Sequence, residues 1–428
     1  MFRKIRNFIY NLYFRLISSI AFLPSVITFV FFNLAFFSLW IVDEGTNQRI
    51  QEAFPAIIID SDDTARAVLS AFIGGIISLT AFSFSMVMLL LSQASANFSP
   101  RLLPNLISDI RNQVIMGFFI GTLVFMVIIL MSISPTDTEF TSSGFSVLLS
   151  VVFGMACLGF FVYFIHIMST EIQINNILQR IYRGTKSRLE EQIESERSQG
   201  ELPPIDEKQW NIVKFKKGGY FQGINLEGLL NKIKEEDINM KILMNQGRYV
   251  YPNVDIIAYS KEISEEVKDE IMSYLVFSNN HKAAENYVLG LKQITEVGVK
   301  AMSPGINDPG TAIVSIDYLA ELFALRMQLS DKEYYFTENN EQFIELATLD
   351  FDEIMYSILA SYRQYCKHDY TVMKEIVEML EYLLNQEMAK EEYKATILKN
   401  LRVIKADIKE SIENNTDRDK LLAIIQQV

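Results

Sequence analysis

The chain has 428 residues, 50% of them hydrophobic and 21% charged, with a net charge of -13. That acidity argues against nucleic acid as a partner, because neutralising phosphates takes clustered Lys and Arg, and no basic stripe with interleaved aromatics occurs. The two cysteines, Cys157 and Cys366, and the three histidines, His166, His281 and His368, show neither a disulfide framework nor metal-ligand spacing, and no cofactor is implied.

The apolar residues crowd into the first part of the chain, and nearly all Lys and Glu follow them. A helix needs about 20 apolar residues to cross a bilayer. Four segments qualify: Ile17–Val42, Ala67–Leu91, Val114–Ile133 and Phe145–Met168, none with a Lys, Arg, Asp or Glu. The first is longer than the core of a signal peptide and has no small-residue cleavage site after it, so it is expected to remain as a span. Lys/Arg bias orients the spans. Arg3, Lys4, Arg6 and Arg15 precede span one, Arg101 and Arg111 lie between spans two and three, and Arg180, Arg183, Lys186 and Arg188 follow span four. The other two loops are acidic: Asp43, Glu44, Glu52, Asp60, Asp62 and Asp63 in one, Asp137 and Glu139 in the other. Both termini are therefore expected on the cytoplasmic side of the membrane, with Asp60, Asp62 and Asp63 forming an outer acidic vestibule.

In span two, Ala71, Ser78, Ser85 and Ser92 recur at heptad spacing and share one helix face. Gly74 and Gly75 add a place for close backbone approach. Two readings stand side by side: a helix-packing face, and a pore lining in which hydroxyls meet water or ions. Gly117 and Gly121 of span three form a small-xxx-small motif that marks a helix contact. His166 reads as an interfacial histidine or a proton-sensitive group. With no carboxylate within the spans, a coupled transporter is the weakest of the transport readings.

Span two runs into Ser92-Gln-Ala-Ser-Ala-Asn-Phe-Ser-Pro-Arg-Leu-Leu, and a second distinctive segment is Lys300-Ala-Met-Ser-Pro-Gly-Ile-Asn-Asp-Pro-Gly-Thr-Ala312. A weaker third is Ser361-Tyr-Arg-Gln-Tyr365. Together, in this order, they resemble an uncharacterised bacterial family of predicted membrane proteins, domain of unknown function 2254. The resemblance implies an inner-membrane protein and little about activity. Departures from the family pattern fall at His281, Lys282, Asn286 and Gly310.

After the spans, residues 171–205 read as a juxtamembrane helix and linker, broken at Leu202-Pro203-Pro204. Residues 206–262 read as a small β-rich module: a strand over 211–216, a turn at Gly218-Gly219-Tyr220, a helix over 226–233, and strands over 240–244 and 254–258. The order is similar to small β-barrel modules. From Ser264 the remainder, as the domain 263–428, is expected to be helical, with helices over 264–277, 283–302, 309–329, 340–365, 370–386 and 390–412. Ser303-Pro-Gly-Ile-Asn-Asp-Pro309 joins two of them. Asn307 or Asp308 is expected to cap the second, with Pro309 at its first position. The turn is either a rigid connector or a docking site whose Asp308 pairs with Arg101.

The expected fold is thus four transmembrane helices in residues 1–170 followed by a cytoplasmic α+β part. No Walker loop, nucleophile elbow, His-Glu-x-x-His or Cys-x-x-Cys occurs, and Asp350, Asp352 and Glu353 read as a solvated helix start, so no catalytic residue is proposed. The functional expectation is a homo-oligomeric channel in the lipid bilayer, with inorganic cations favoured by the acidic outer loops. The alternatives are a non-conducting membrane-anchored sensor or scaffold and, third, a coupled transporter.

Overall fold

A computed structural model describes residues 21–41, 61–97, 110–133, 144–171, 173–198, 210–278, 287–338 and 341–427. The chain divides into two compact units, Met1–Asn176 and Ile177–Val428.

The first unit contains α1 (Phe22–Ile41), α2 (Asp62–Asn97), α3 (Ile110–Ser132) and α4 (Gly144–Glu171). All four are long and apolar enough to cross a membrane, and each coincides with one of the expected spans. Helix α2 starts earlier than hydropathy alone marks. Asp62 and Asp63 stand in its first turn, where the helix dipole favours negative charge. It also runs on to Asn97, since no proline interrupts it before Pro100. Its 36 residues give a rod of ~54 Å, longer than a bilayer core.

Helix α3 is the centre of this bundle. Ile115, Phe119, Thr122, Met126 and Ile129 are buried at three- and four-residue steps. The two glycines of its small-xxx-small motif lie under α1. A methyl group on Gly117 would meet the Pro24 Cα and the Ile27 Cδ1 at 2.9 Å, and one on Gly121 would meet the Phe31 ring at 2.9 Å. Those glycines let the two backbones approach, as small residues do in membrane helices. Phe31, Phe118, Phe125 and Phe153 close the core, Phe31–Phe118, Phe118–Phe153 and Phe125–Phe153 edge-to-face and Phe31–Phe153 tilted. The outer surfaces of α1 and α4 carry Phe29, Phe36, Phe37, Trp40, Val152, Met155 and Val162, all exposed, as apolar surfaces meant for lipid require.

The second unit begins with most of α5 (Ile174–Ser198) and continues through β1 (Asn211–Lys214), β2 (Gly219–Ile224), α6 (Leu226–Glu236), β3 (Met240–Ile242), β4 (Tyr249–Val250) and β5 (Asp255–Tyr259). Then follow α7 (Glu265–Tyr274), β6 (Leu275–Ser278), α8 (Tyr287–Ala301), α9 (Pro309–Arg326), β7 (Lys332–Phe336) and β8 (Phe343–Ala347). It ends with α10 (Phe351–Cys366), α11 (Tyr370–Leu384), α12 (Glu392–Ser411) and α13 (Asn415–Gln427).

Five strands form one sheet in the order β1-β5-β3-β8-β7, and three form another, β4-β2-β6. All pairings are antiparallel except β3 with β8. Asn239 Oδ1 accepts the Phe343 amide at 3.0 Å, and Lys241 pairs with Glu345 at 3.3 Å across the parallel pair, which fixes its register. Leu229, Ile233, Met240, Ile257 and Ile344 meet in the core of this part.

Three expectations for this region are corrected. The segment after Ser264 is not helical throughout: β6 ends the α7 segment, β7 and β8 form a hairpin, and β8 and α10 replace the helix expected from residue 340. Gly219 and Tyr220 do not turn the chain but open β2, the turn falling just before them. The strands form two open sheets instead of a small barrel. The edge of β3 is taken by β8, a strand from far downstream, which continues the sheet to β7. The break at Leu202-Pro203-Pro204 and the residues His281, Lys282 and Asn286 lie outside the described residues.

Candidate functional site

Ala65, Leu69, Ile76 and Ser83 of α2 are buried. Ala71, Gly74, Gly75, Ser78, Ser85 and Ser92 are exposed. At 100° per residue, Ala71, Gly74, Ser78 and Ser85 project almost diametrically opposite the buried stripe. A methyl group added at Gly74 or Gly75 would meet nothing within 4 Å. The close approach expected at these two glycines therefore finds no partner within the described residues, whereas that at Gly117 and Gly121 does. Ile77, Phe84 and Met88 flank the small face on one side, and Phe82 and Leu89 on the other.

The hydroxyls of Ser78 and Ser85 are satisfied by their own helix. Ser78 Oγ donates to the Gly74 carbonyl at 2.9 Å and Ser85 Oγ to that of Ala81 at 2.9 Å. This back-bonding lets serine sit in an apolar medium. Ser83, off the stripe, points into the bundle, and its buried Oγ has no hydrogen-bond partner among the described residues. Asp62 and Asp63 are exposed at the α2 N-terminus. Nearby, Arg66 donates to the Ile133 carbonyl at 3.0 Å and so ties the start of α2 to the end of α3. Asp60 and Arg101 lie outside the described residues.

The Ser303–Pro309 turn is built as its residue types require. The Ser303 carbonyl accepts the amides of Ile306 at 2.9 Å and Asn307 at 3.0 Å, and the Ala301 carbonyl accepts that of Asp308 at 2.8 Å. Asn307 has φ of 50°, a left-handed conformation that asparagine tolerates better than most residues. Asp308 caps α9. Its Oδ1 accepts the Thr311 amide at 3.1 Å and its Oδ2 the Thr311 hydroxyl at 2.6 Å. Both carboxylate oxygens are thus used within the turn. The helix cap is assigned to Asp308, and Asn307 is the residue that reverses the chain.

Sequence reasoning missed two polar clusters of the second unit. The first surrounds Arg326, which has no exposed surface. It donates to Asp331 Oδ1 at 2.6 Å and to the Leu329 and Leu349 carbonyls at 3.2 and 3.3 Å. Asp331 also accepts the Phe351 amide at 3.0 Å and pairs with Lys390 at 3.2 Å. Burial alone would raise the Asp331 carboxyl, but Arg326 and Lys390 hold it below the usual carboxylate range. The cluster joins the ends of α9 and the start of α10 to α12.

The second is a cavity of about 680 Å³ between α5, α9 and α11, lined by Glu190, Asp317, Glu321, Glu375 and Glu378 with Lys186. Tyr182 stacks on Tyr318, with ring centroids 4.5 Å apart, and bonds Glu321. Among the described residues no group of three or more His, Cys, Asp or Glu is placed to hold a metal.

A bundle of four lipid-compatible helices joined to an α+β unit defines a membrane protein with a large extramembrane part. The chain belongs to the family described as predicted membrane protein (DUF2254), which matches residues 17–382. Uncharacterized proteins of Mycobacterium bovis and of Mycobacterium tuberculosis H37Rv are each 22% identical to it over 271 residues, 60% of this chain and 51% of theirs. A third, from Mycobacterium tuberculosis CDC 1551, matches over the same lengths. The chain thus spans about half the length of these relatives. No solved structure matches it.

Proposed function

We propose that this membrane protein is the subunit of a homo-oligomeric pore, with α2 turned toward neighbouring copies and its small, hydroxylated face toward the axis. One observation carries the reading: the side of α2 that faces away from its own bundle holds Ala71, Gly74, Ser78 and Ser85, while the outer faces of α1 and α4 hold large apolar groups. Small residues gain little in lipid, but they let helices meet closely. Asp62 and Asp63 at the start of the same helix favour cations over anions at the mouth. In this reading both termini lie in the cytoplasm, α2 starts at the outer surface of the inner membrane, and the second unit assembles or regulates the pore.

A second reading, a non-conducting scaffold, is favoured by the bonding of Ser78 and Ser85 to their own helix, which suits a dry helix–helix contact. Planar-bilayer recording of the purified protein separates the two. The pore reading expects discrete currents that shrink several-fold in Ser85→Phe and persist in a variant altered on the lipid face, such as Val162→Phe. Silent bilayers across several cations and membrane tensions support the scaffold.

A further inference from the structure

The three-stranded sheet β4-β2-β6 has one face against the core and one face open. Val250 and Phe221 point inward and are buried. Alternation along the strands puts Tyr249, Tyr220 and Val276 on the opposite side. Tyr251 joins them: the rings of Tyr220 and Tyr251 each meet Tyr249 edge-on, with centroids 5.1 Å apart. Tyr249, Tyr251 and Val276 are 44%, 66% and 50% exposed. An exposed row of tyrosines is what a boundary between water and lipid favours, because the ring is apolar and the hydroxyl is not.

Two turns border this face and are locked together. The Asn253 amide donates to the Phe215 carbonyl at 2.7 Å, and the Phe215 amide donates to that of Val254 at 2.9 Å. Gly218 lies so close that a methyl group there would meet the Tyr249 Oη at 2.5 Å. The first turn exposes Lys214, Lys216 and Lys217, and the second exposes Tyr251, Pro252 and Val254. Lys214 is matched by Asp255 at 3.8 Å, and Arg248 at the start of β4 by Glu353. Glu265, which feels the charge of Lys216, is itself bonded to Lys268 at 2.7 Å. Lys216 and Lys217 are left in solvent, in no salt bridge among the described residues. They stand beside the tyrosine row in a chain whose net charge is -13.

We propose that this face and its lysine turn dock the second unit on the surface of an anionic bilayer. Lys216 and Lys217 meet lipid phosphates there, and Tyr249, Tyr251 and Val254 enter the headgroup layer. A purely apolar partner would leave the two cations unmatched, and a dissolved anion would leave the tyrosines and Val254 in water. An anionic lipid surface meets both. The bilayer is always within reach, since the first unit has four helices suited to cross it, and a tethered contact takes effect even when it is weak. The docking is independent of whether the spans conduct.

The test uses the full-length protein in vesicles of equal parts phosphatidylglycerol and phosphatidylcholine. Val254→Cys carries a polarity-sensitive fluorophore, and the native cysteines are buried. The label is expected to shift to the blue and to be quenched by lipids spin-labelled at the headgroup. A label at Glu410→Cys, exposed on α12, is expected to show neither effect. Each of Lys216→Gln and Lys217→Gln should lower the ratio of docked to free label about five-fold. Phosphatidylcholine alone, or salt of about 0.5 M, should act in the same direction, and Tyr251→Ser should weaken quenching with the lysines intact. Equal quenching at Val254 and Glu410, or quenching indifferent to lipid charge and to both lysines, overturns the proposal. So does a blue shift that lipid quenchers leave untouched and that fades when labelled protein is diluted with unlabelled, since a second copy then covers the face.

Discussion

Arg326 has no exposed surface, yet its guanidinium stays charged because Asp331 and two carbonyls surround it. Removing it leaves Asp331 partly buried with only Lys390 as counter-charge, and takes one donor from each of three acceptors. Loss of one partner of a buried pair costs about 3–5 kcal/mol, so Arg326→Ala is expected to lower the unfolding free energy of the second unit by that order. Denaturant titration followed by tyrosine fluorescence checks it, and Arg402→Ala, exposed on α12, serves as the neutral comparison. In the bundle, a side chain larger than hydrogen at Gly121 collides with Phe31. Overpacking of this kind costs about 1–3 kcal/mol. Gly121→Leu should therefore melt lower in detergent, while Gly75→Leu, which meets nothing within 4 Å in the single chain, should not unless copies pack there. These residues differ in how well the sequence announces them. Gly117 and Gly121 are recognisable by spacing. Arg326 is an ordinary arginine in a helical pattern, and its burial depends on where α10 and α12 come to lie.

At the scale of elements, the long apolar helices were readable because each carries about 20 residues of one signal. The strands carry far less. Lys332–Phe336 and Phe343–Ala347 are five residues each, they include the charged Lys332, Glu333 and Glu345, and they stand among amphipathic helices. Gly219–Ile224 begins with glycine and contains another, which mimics a turn. What makes these segments strands is pairing with partners distant in sequence, as β3 with β8, and no local pattern encodes that. The α8–α9 turn is the opposite case. Pro304 ends one helix and Asp308-Pro309 starts the next, so its chemistry is local and legible. It yields a paired expectation: Asp308→Ala should cost about 0.5–2 kcal/mol as a lost cap, while Asn307→Gly, free at φ of 50°, should be neutral and Asn307→Ile destabilising. Thermal melts of the three variants side by side decide it. Asp308 has both oxygens engaged at Thr311, so the same set tests whether its role is capping.

For the whole molecule, the heptad of Ala71, Ser78, Ser85 and Ser92 was visible in the sequence, but the direction it faces was not. That direction is set by which side of α2 the Ile76 and Leu69 side chains anchor to α3 and α4, a property of the packed bundle. The account rests on α2 meeting α2 of another copy. The most direct measurement places one cysteine at Ser85 in native membranes and applies a mild oxidant; the two native cysteines are both buried and so give a low background. A disulfide closes only when Cα atoms come within about 7 Å. The account predicts that Ser85→Cys and Ser78→Cys yield covalent dimers on a non-reducing gel while Val162→Cys, on the lipid face of α4, stays monomeric. Monomer at Ser78 and Ser85 under conditions that link other positions would contradict it.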